Sequence, residues 1–307
     1  VSERTIQRDL ELLVELGFPI TFETDVYGKR FWRMPPNFLR NGGLTLTMTE
    51  ALSLHIAERQ FMPLAGTCLA QGLASLLQKI RSLIPQRARD YFRELNSIVC
   101  VRSTGATDYS QHSEAISLLD EAIRERRTVT VTYRSLWRAD QYETKFDPYG
   151  LVLHQDDLFL VGHSHRADGL RVFKVSRILN VCLADGTFER PENFNLEELF
   201  RNSFGIVRND RPPQRVVVQF TGPAASVVEE RIWHDSQKVQ WLPAEGSLFE
   251  ASGSDPDALQ VTFELAELVE LKRWLMSFGD QAVVISPEWF RAEIREELRR
   301  AVQRYSD

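Results

Sequence analysis

Cysteine is scarce: there are three in 307 residues. Cys68, Cys100 and Cys182 stand far apart, form no CxxC pair and have no histidine cluster at metal-ligand spacing. That excludes a disulfide framework and a zinc-finger pattern, and the thiols read as buried groups in a reducing compartment. Long apolar runs are also missing. No stretch approaches the roughly 18–20 apolar residues of a membrane helix, and no charged-then-apolar leader opens the sequence, so a cytoplasmic protein with no membrane partner is expected. The Gly-rich phosphate loop, the GxSxG elbow and the HExxH helix are absent too, which removes the motifs of three large enzyme classes. His163 and His165 stand together without the carboxylate spacing of a metal hydrolase. The expectation is therefore no enzyme, no metal and no cofactor. Net positive charge is the last absence. A formal charge of −6 argues against wholesale coating of nucleic acid, so any phosphate contact has to come from a local basic surface.

What remains is the composition of a folded protein, 43% hydrophobic and 26% charged, long enough for two or three domains that each bury a core. The first 16 residues carry a helix signal. Ser2 suits an N-cap, Ile6, Leu10, Leu13 and Leu16 recur near helical spacing, and Gly17 stops the run. Pro19 and Ile20 open an extended stretch, and Tyr27-Gly28-Lys29-Arg30 turns into Phe31-Trp32-Arg33, the pattern of a β-hairpin. Helix followed by basic-tipped hairpin is winged-helix order. Pro35-Pro36 and Asn41-Gly42-Gly43 mark a linker, and from Thr49 a helical region runs to about Ser97, with Pro63 and Pro85 at helix boundaries. Leu69, Leu73, Leu76, Leu77, Ile80 and Leu83 form an apolar stripe on it, suited equally to packing within the domain and to a homodimer interface.

A helix over about Ser113–Arg126 precedes five short strands: Val129–Arg134, Lys145–His154, Leu158–His163, Leu170–Val175 and Ile178–Leu183. This order suits a small, partly open barrel of the Sm or SH3-like kind. Beyond a polar connector the order becomes strand (Arg215–Phe220), helix (Ala224–Ile232), strands (Lys238–Leu242, Leu248–Ser252, Ala258–Phe263), helix (Leu265–Met276) and strand (Ala282–Ile285), an α+β sandwich. A last helix, Glu288–Tyr305, carries Arg and Glu at the spacing of a solvated face. The fold class expected is multidomain α+β, with domains over 1–36, 37–110, 111–190 and 213–307 and a connector over 191–212.

Two segments carry candidate chemistry. Val1-Ser2-Glu3-Arg4-Thr5-Ile6-Gln7-Arg8-Asp9-Leu10 resembles the recognition helix of the DeoR-like helix-turn-helix family. A recognition helix sets its first polar residues in the major groove, where Arg donates to guanine and Gln to adenine. The resemblance implies duplex promoter DNA as a partner, contacted by Ser2, Arg4, Thr5, Gln7 and Arg8. Lys29 and Arg30 would serve as the wing, although two basic residues at a hairpin tip also serve solubility. The helices that pack behind a recognition helix are not in the sequence, so only a partial winged helix-turn-helix is expected.

Between His163 and Arg177 there are four positive charges, Arg166, Arg171, Lys174 and Arg177, against Asp168 alone, with His163 and His165 beside them. Arg171 and Phe173 alternate onto one strand face, and Tyr133, Arg134 and Trp137 come from the first strand and the loop after it. Cations that hold phosphates next to rings that stack bases are what single-stranded nucleic acid or nucleotides require. The competing reading pairs these cations with Asp156, Asp157 and Asp168 and puts the rings in the core. In the same region Val131-Thr132-Tyr133, Asp147-Pro148-Tyr149-Gly150-Leu151, Leu158-Phe159-Leu160-Val161-Gly162-His163 and Arg171-Val172-Phe173-Lys174-Val175-Ser176-Arg177-Ile178 follow in order. Together they resemble the WYL domain, with Leu158-Phe159-Leu160 where the family has its name-giving Trp-Tyr-Leu. The part after it resembles the WCX-type companion of that domain. The resemblance implies a ligand-sensing bacterial transcription regulator. The favoured effector is short single-stranded DNA, as in a DNA-damage response; a small cyclic or linear nucleotide, or an RNA ligand for an Sm-like module, is the alternative.

Overall fold

Leu10 and Leu13 lie three apart on one face of α1 (Glu3–Glu15), which packs them beside the buried Phe18 and Ile20, with Trp32 and Met34 closing a small core. Trp32 and Met34 come from the hairpin β1 (Thr21–Thr24) and β2 (Arg30–Arg33) and the residue after it; the two strands pair antiparallel from Thr21↔Arg33 to Thr24↔Arg30. The computed structural model describes residues 3–15, 18, 20–26, 29–34, 47–83, 105, 107–135, 140–242 and 258–306. The expected turn at Tyr27-Gly28, the linker residues 35–43, Pro85, Cys100, the helical stretch from 84 to 97 and the strand Leu248–Ser252 lie outside them.

Helix α2 (Met48–Gln60) starts on a capping box. The Thr47 hydroxyl accepts from the Glu50 N–H at 3.2 Å while the Glu50 carboxylate accepts from the Thr47 N–H at 2.7 Å. Thr47→Ala is expected to cost about 1 kcal/mol, read as a small fall in the thermal midpoint. Pro63 sits in the short 3-10 turn Met62–Leu64 that separates α2 from α3 (Cys68–Leu83), and Arg81 ties α3 back to Glu58 at 2.7 Å. The apolar stripe on α3 is split. Leu77 is buried, whereas Leu69 and Leu76 remain exposed.

Helix α4 (Ser113–Glu125) buries Ile116, Leu119 and Ala122 completely and ends at Arg126, whose left-handed φ of 54° turns the chain into the sheet. All five expected strands form: β3 (Arg127–Arg134), β4 (Gln141–His154), β5 (Asp157–Ser164), β6 (Gly169–Lys174) and β7 (Ile178–Thr187). They make one antiparallel sheet in the order β6-β5-β4-β3-β7, and among the described residues no pairing of β6 with β7 closes it into a barrel. The β4–β5 register shifts between Pro148 and Gly150, where proline has no N–H to give the ladder. Across that ladder a side chain at Gly162 would collide with the Asp147 carbonyl and the Phe146 ring, so only glycine fits. Phe146, Leu160, Val129 and Val131 fill the core beneath. Cys182 is a correction to the reading of buried thiols. It lies on the edge strand β7 and is exposed, while Cys68 is half-buried.

The chain divides after Phe188 into two units. In the second, a short helix α5 (Leu196–Phe200) precedes β8 (Gln214–Phe220), α6 (Gly222–Glu229), β9 (Lys238–Leu242), β10 (Ala258–Leu265), α7 (Val269–Met276), β11 (Ala282–Ser286) and α8 (Glu288–Ser306). The sheet order β11-β8-β10-β9, all antiparallel, is that of a split β-α-β-β-α-β unit. Val216, Val218 and Phe220 alternate on β8 and meet Leu259, Val261, Phe263 and Leu265 of β10 under Leu271 and Leu275 of α7. The Glu270 carboxylate accepts from the Ile206 N–H at 3.1 Å and the Val207 N–H at 2.8 Å, and Gly205 leaves it room. Lys272 bridges to Glu293 and Glu297 of α8, each at 2.8 Å, which raises the Lys272 pKa and lowers that of Glu297. No helix among the described residues is long and apolar enough to cross a membrane.

Candidate nucleic-acid interface

The ladder of the five-stranded sheet fixes where each cationic candidate lies, and it does not bring them all to one place. Arg134 finishes β3 opposite Gln141, the first residue of β4. Arg177 comes just before Ile178, which pairs with Tyr133. Arg171 lies on β6 opposite Gly162, near the end of β5, and Arg166 belongs to the turn between them. Arg134, Arg166 and Arg171 are exposed and Arg177 is half-buried. None of the four has a carboxylate partner among the described residues. Arg166 instead lays its guanidinium over the Tyr142 ring, 4.5 Å from the centroid, and Arg171 donates to the Leu170 carbonyl at 2.7 Å.

The other candidates have different surroundings. Tyr133 and Phe173 are buried at 7% and 3% exposure and stack on each other at 4.2 Å. Their rings belong to the core and are not offered to a base. Lys174 is held by Asp157 at 2.5 Å, within a group that also ties in Thr107 and Tyr109. Burial, opposed by the bond that the Tyr109 oxygen accepts from the Leu158 N–H, pushes the Tyr109 hydroxyl above the usual phenol range. Thus the competing reading holds for Lys174 and for both rings, but not for the four arginines. His163 and His165 face carboxylates: His165 Nε2 lies 2.9 Å and His163 Nδ1 3.9 Å from Asp147 Oδ2, and His163 Nε2 lies 3.5 Å from Asp168. Burial and the Asp147 carboxylate together raise the Tyr149 hydroxyl. Trp137 lies outside the described residues.

Tyr142 and Asp147 are the residues that sequence reasoning missed. Tyr142 lies ahead of the expected start of β4, in a stretch whose Gln141 and Glu143 read as loop. Asp147 was visible only as part of a motif, because its role depends on the register that sets it opposite His163.

On α1, Gln7 and Arg8 are exposed and Thr5 is half-buried. Gln7 reaches Glu11 at 3.4 Å, and Arg8 lies 3.9 Å from Asp9. Arg30 is tied across to Glu11 of α1 at 2.8 Å and stacks over Phe22, so it braces hairpin to helix. Lys29 stands 5.6 Å over the Phe31 ring. Ser2 and the Arg4 side chain are outside the described residues.

Two domain families match this chain: the WYL domain over residues 114–183 and the WCX domain over residues 212–302. The chain is a WYL-domain transcriptional regulator. Among named proteins it is similar to protein PafC of Mycobacterium leprae, with 21% identity over 262 residues that cover 85% of this chain and 73% of PafC. It is also similar to the uncharacterized HTH-type transcriptional regulator YobV of Bacillus subtilis, with 22% identity over 196 residues, 62% of this chain and 59% of that protein. The solved proteasome accessory factor B/C of Arthrobacter aurescens aligns over 95% of this chain and 39% of its own, at 18% identity and a TM-score of 0.32.

Proposed function

We propose that this regulator binds duplex promoter DNA through α1 and the hairpin after it, and senses single-stranded DNA at the arginines of the WYL sheet that are not paired with carboxylates among the described residues, in a response to DNA damage. The observation that carries the effector reading is that Arg134, Arg166, Arg171 and Arg177, all on the WYL sheet or the turns joining its strands, have no carboxylate partner among the described residues. Guanidinium groups without a carboxylate partner are suited to phosphate, and Tyr142 beneath Arg166 supplies a half-buried ring beside that one. Through α1, Gln7 and Arg8 are exposed where a recognition helix reads base edges. Regulation follows if the effector binds more tightly to one arrangement of a homodimer than to another, since only that difference shifts the equilibrium.

The test is fluorescence anisotropy of a labelled short single-stranded DNA titrated with the 307-residue protein at two salt concentrations. Saturable, salt-sensitive binding is expected. Arg171→Ala with Arg177→Ala is expected to weaken it about ten- to a hundredfold and to make the salt slope shallower by about 0.7 per lost phosphate contact, with the melting curve unchanged. Equal affinity for RNA of the same length would favour the Sm-like reading. No binding to either strand would remove oligonucleotides as effectors.

A further inference from the structure

Three side chains that the oligonucleotide reading does not use meet on the outer face of the WYL sheet. His163 on β5 is paired directly with Asp147 on β4, and His165 follows two residues on, just past the end of β5. Two residues along a strand is the repeat that returns a side chain to the same face. Asp147 Oδ2 is 2.9 Å from His165 Nε2 and 3.9 Å from His163 Nδ1, and one donor atom from each residue falls within 4.8 Å of the other two. A tetrahedral ion with bonds of 2.0–2.1 Å sets its donors about 3.3 Å apart, so the spacing here brackets what such an ion needs, and small side-chain rotations suffice.

The surroundings also fit. Asp147 is mostly buried, and its second oxygen, Oδ1, accepts from the buried Thr128 hydroxyl at 2.7 Å, which fixes the plane of the carboxylate. His163 turns its other nitrogen, Nε2, toward the Asp168 carboxylate at 3.5 Å, the type of outer contact that holds a ligating imidazole in one tautomer. His163 and His165 are 31% and 44% exposed at their side chains, so an ion has a route in from solvent. The backbone beneath is closely packed, with Gly162 against the Asp147 carbonyl.

We propose that Asp147, His163 and His165 form a divalent metal site of the zinc class. Two imidazoles and a carboxylate select a borderline ion such as Zn2+ or Co2+ over Mg2+ or Ca2+, which prefer all-oxygen shells. Three protein donors leave a fourth position for water or an anionic oxygen. The expectation of no metal, drawn from the absence of a sequence motif, is thereby revised. A motif scan reads spacing along the chain, and this trio is assembled across a ladder.

The test uses the full chain after dialysis against a chelator. Titrated with Co2+, it is expected to develop visible d–d bands that saturate at one equivalent, and Zn2+ added afterwards is expected to displace them. His163→Ala and His165→Ala are each expected to abolish the bands while leaving the circular-dichroism melting curve unchanged. Thr128→Val, which removes only the outer hydrogen bond, is expected to weaken binding about 10- to 100-fold. His165→Gln separates coordination from a simple hydrogen bond to Asp147, because its amide can still donate but ligates poorly. Loss of the bands in a folded His165→Gln protein supports the site. Bands that persist in any of the three histidine variants, or a wild-type chain that never develops them, overturn it.

Discussion

Phe173→Ala is expected to destabilise its domain by about 3–5 kcal/mol, lowering the thermal midpoint by roughly 6–20 °C. The ring is 3% exposed, stacks on Tyr133 with 15° between planes, lies 4.8 Å from Phe146 and meets Tyr142 edge-on at 6.5 Å. Removing it strips a partner from three aromatic neighbours at once and leaves a cavity that the sheet can close only in part. Phe173→Leu keeps most of the volume and should cost far less. Thermal denaturation followed by circular dichroism checks both. The measurement also tests the core role of this ring directly. A core ring gives a large fall in stability. A base-stacking ring would leave the midpoint where it was and weaken oligonucleotide binding instead.

In the second unit, Glu270→Ala is expected to cost about 2–4 kcal/mol, since hydrogen bonds to a charged group are the stronger kind and two backbone N–H groups lose their acceptor. The loss falls on the segment just before β8, where Ile206 and Val207 are held by that one carboxylate. Amide hydrogen exchange should therefore quicken first at these two residues. Glu270→Gln, with one acceptor oxygen in place of two, is expected to fall between wild type and alanine. Protection of both amides that survives in the alanine variant would mean that the segment is held by its apolar contacts alone.

Much of the architecture was legible because the relevant signals are local. The alternation in Val129–Arg134 and the apolar run from Leu158 to Val161 identify their strands, and the spacing of Ile116 and Leu119 identifies the helix that covers them. Boundaries failed where polar residues continue a strand, as at Gln141–Thr144, and Tyr142 was lost with them. The candidate site was harder to read because its meaning lies between strands. Sequence placed Lys174 beside Arg171 and Arg177 as one basic run, yet Lys174 is neutralised by Asp157 from the start of the neighbouring strand. The same limit hid Asp147 from the two histidines. Nothing in the spacing of residues 147, 163 and 165 fixes the register that joins them.

The crossing of Gly162 over the Asp147 carbonyl divides the domain's evolutionary freedom. A mutation at Gly162 disturbs the Phe146 ring of the core and the Asp147 backbone together, so that position is held by two demands at once. The exposed turn residue Arg166 answers to neither. On the proposed reading, a lineage that changes that position alone alters the chemistry presented beside Tyr142 on an unaltered scaffold.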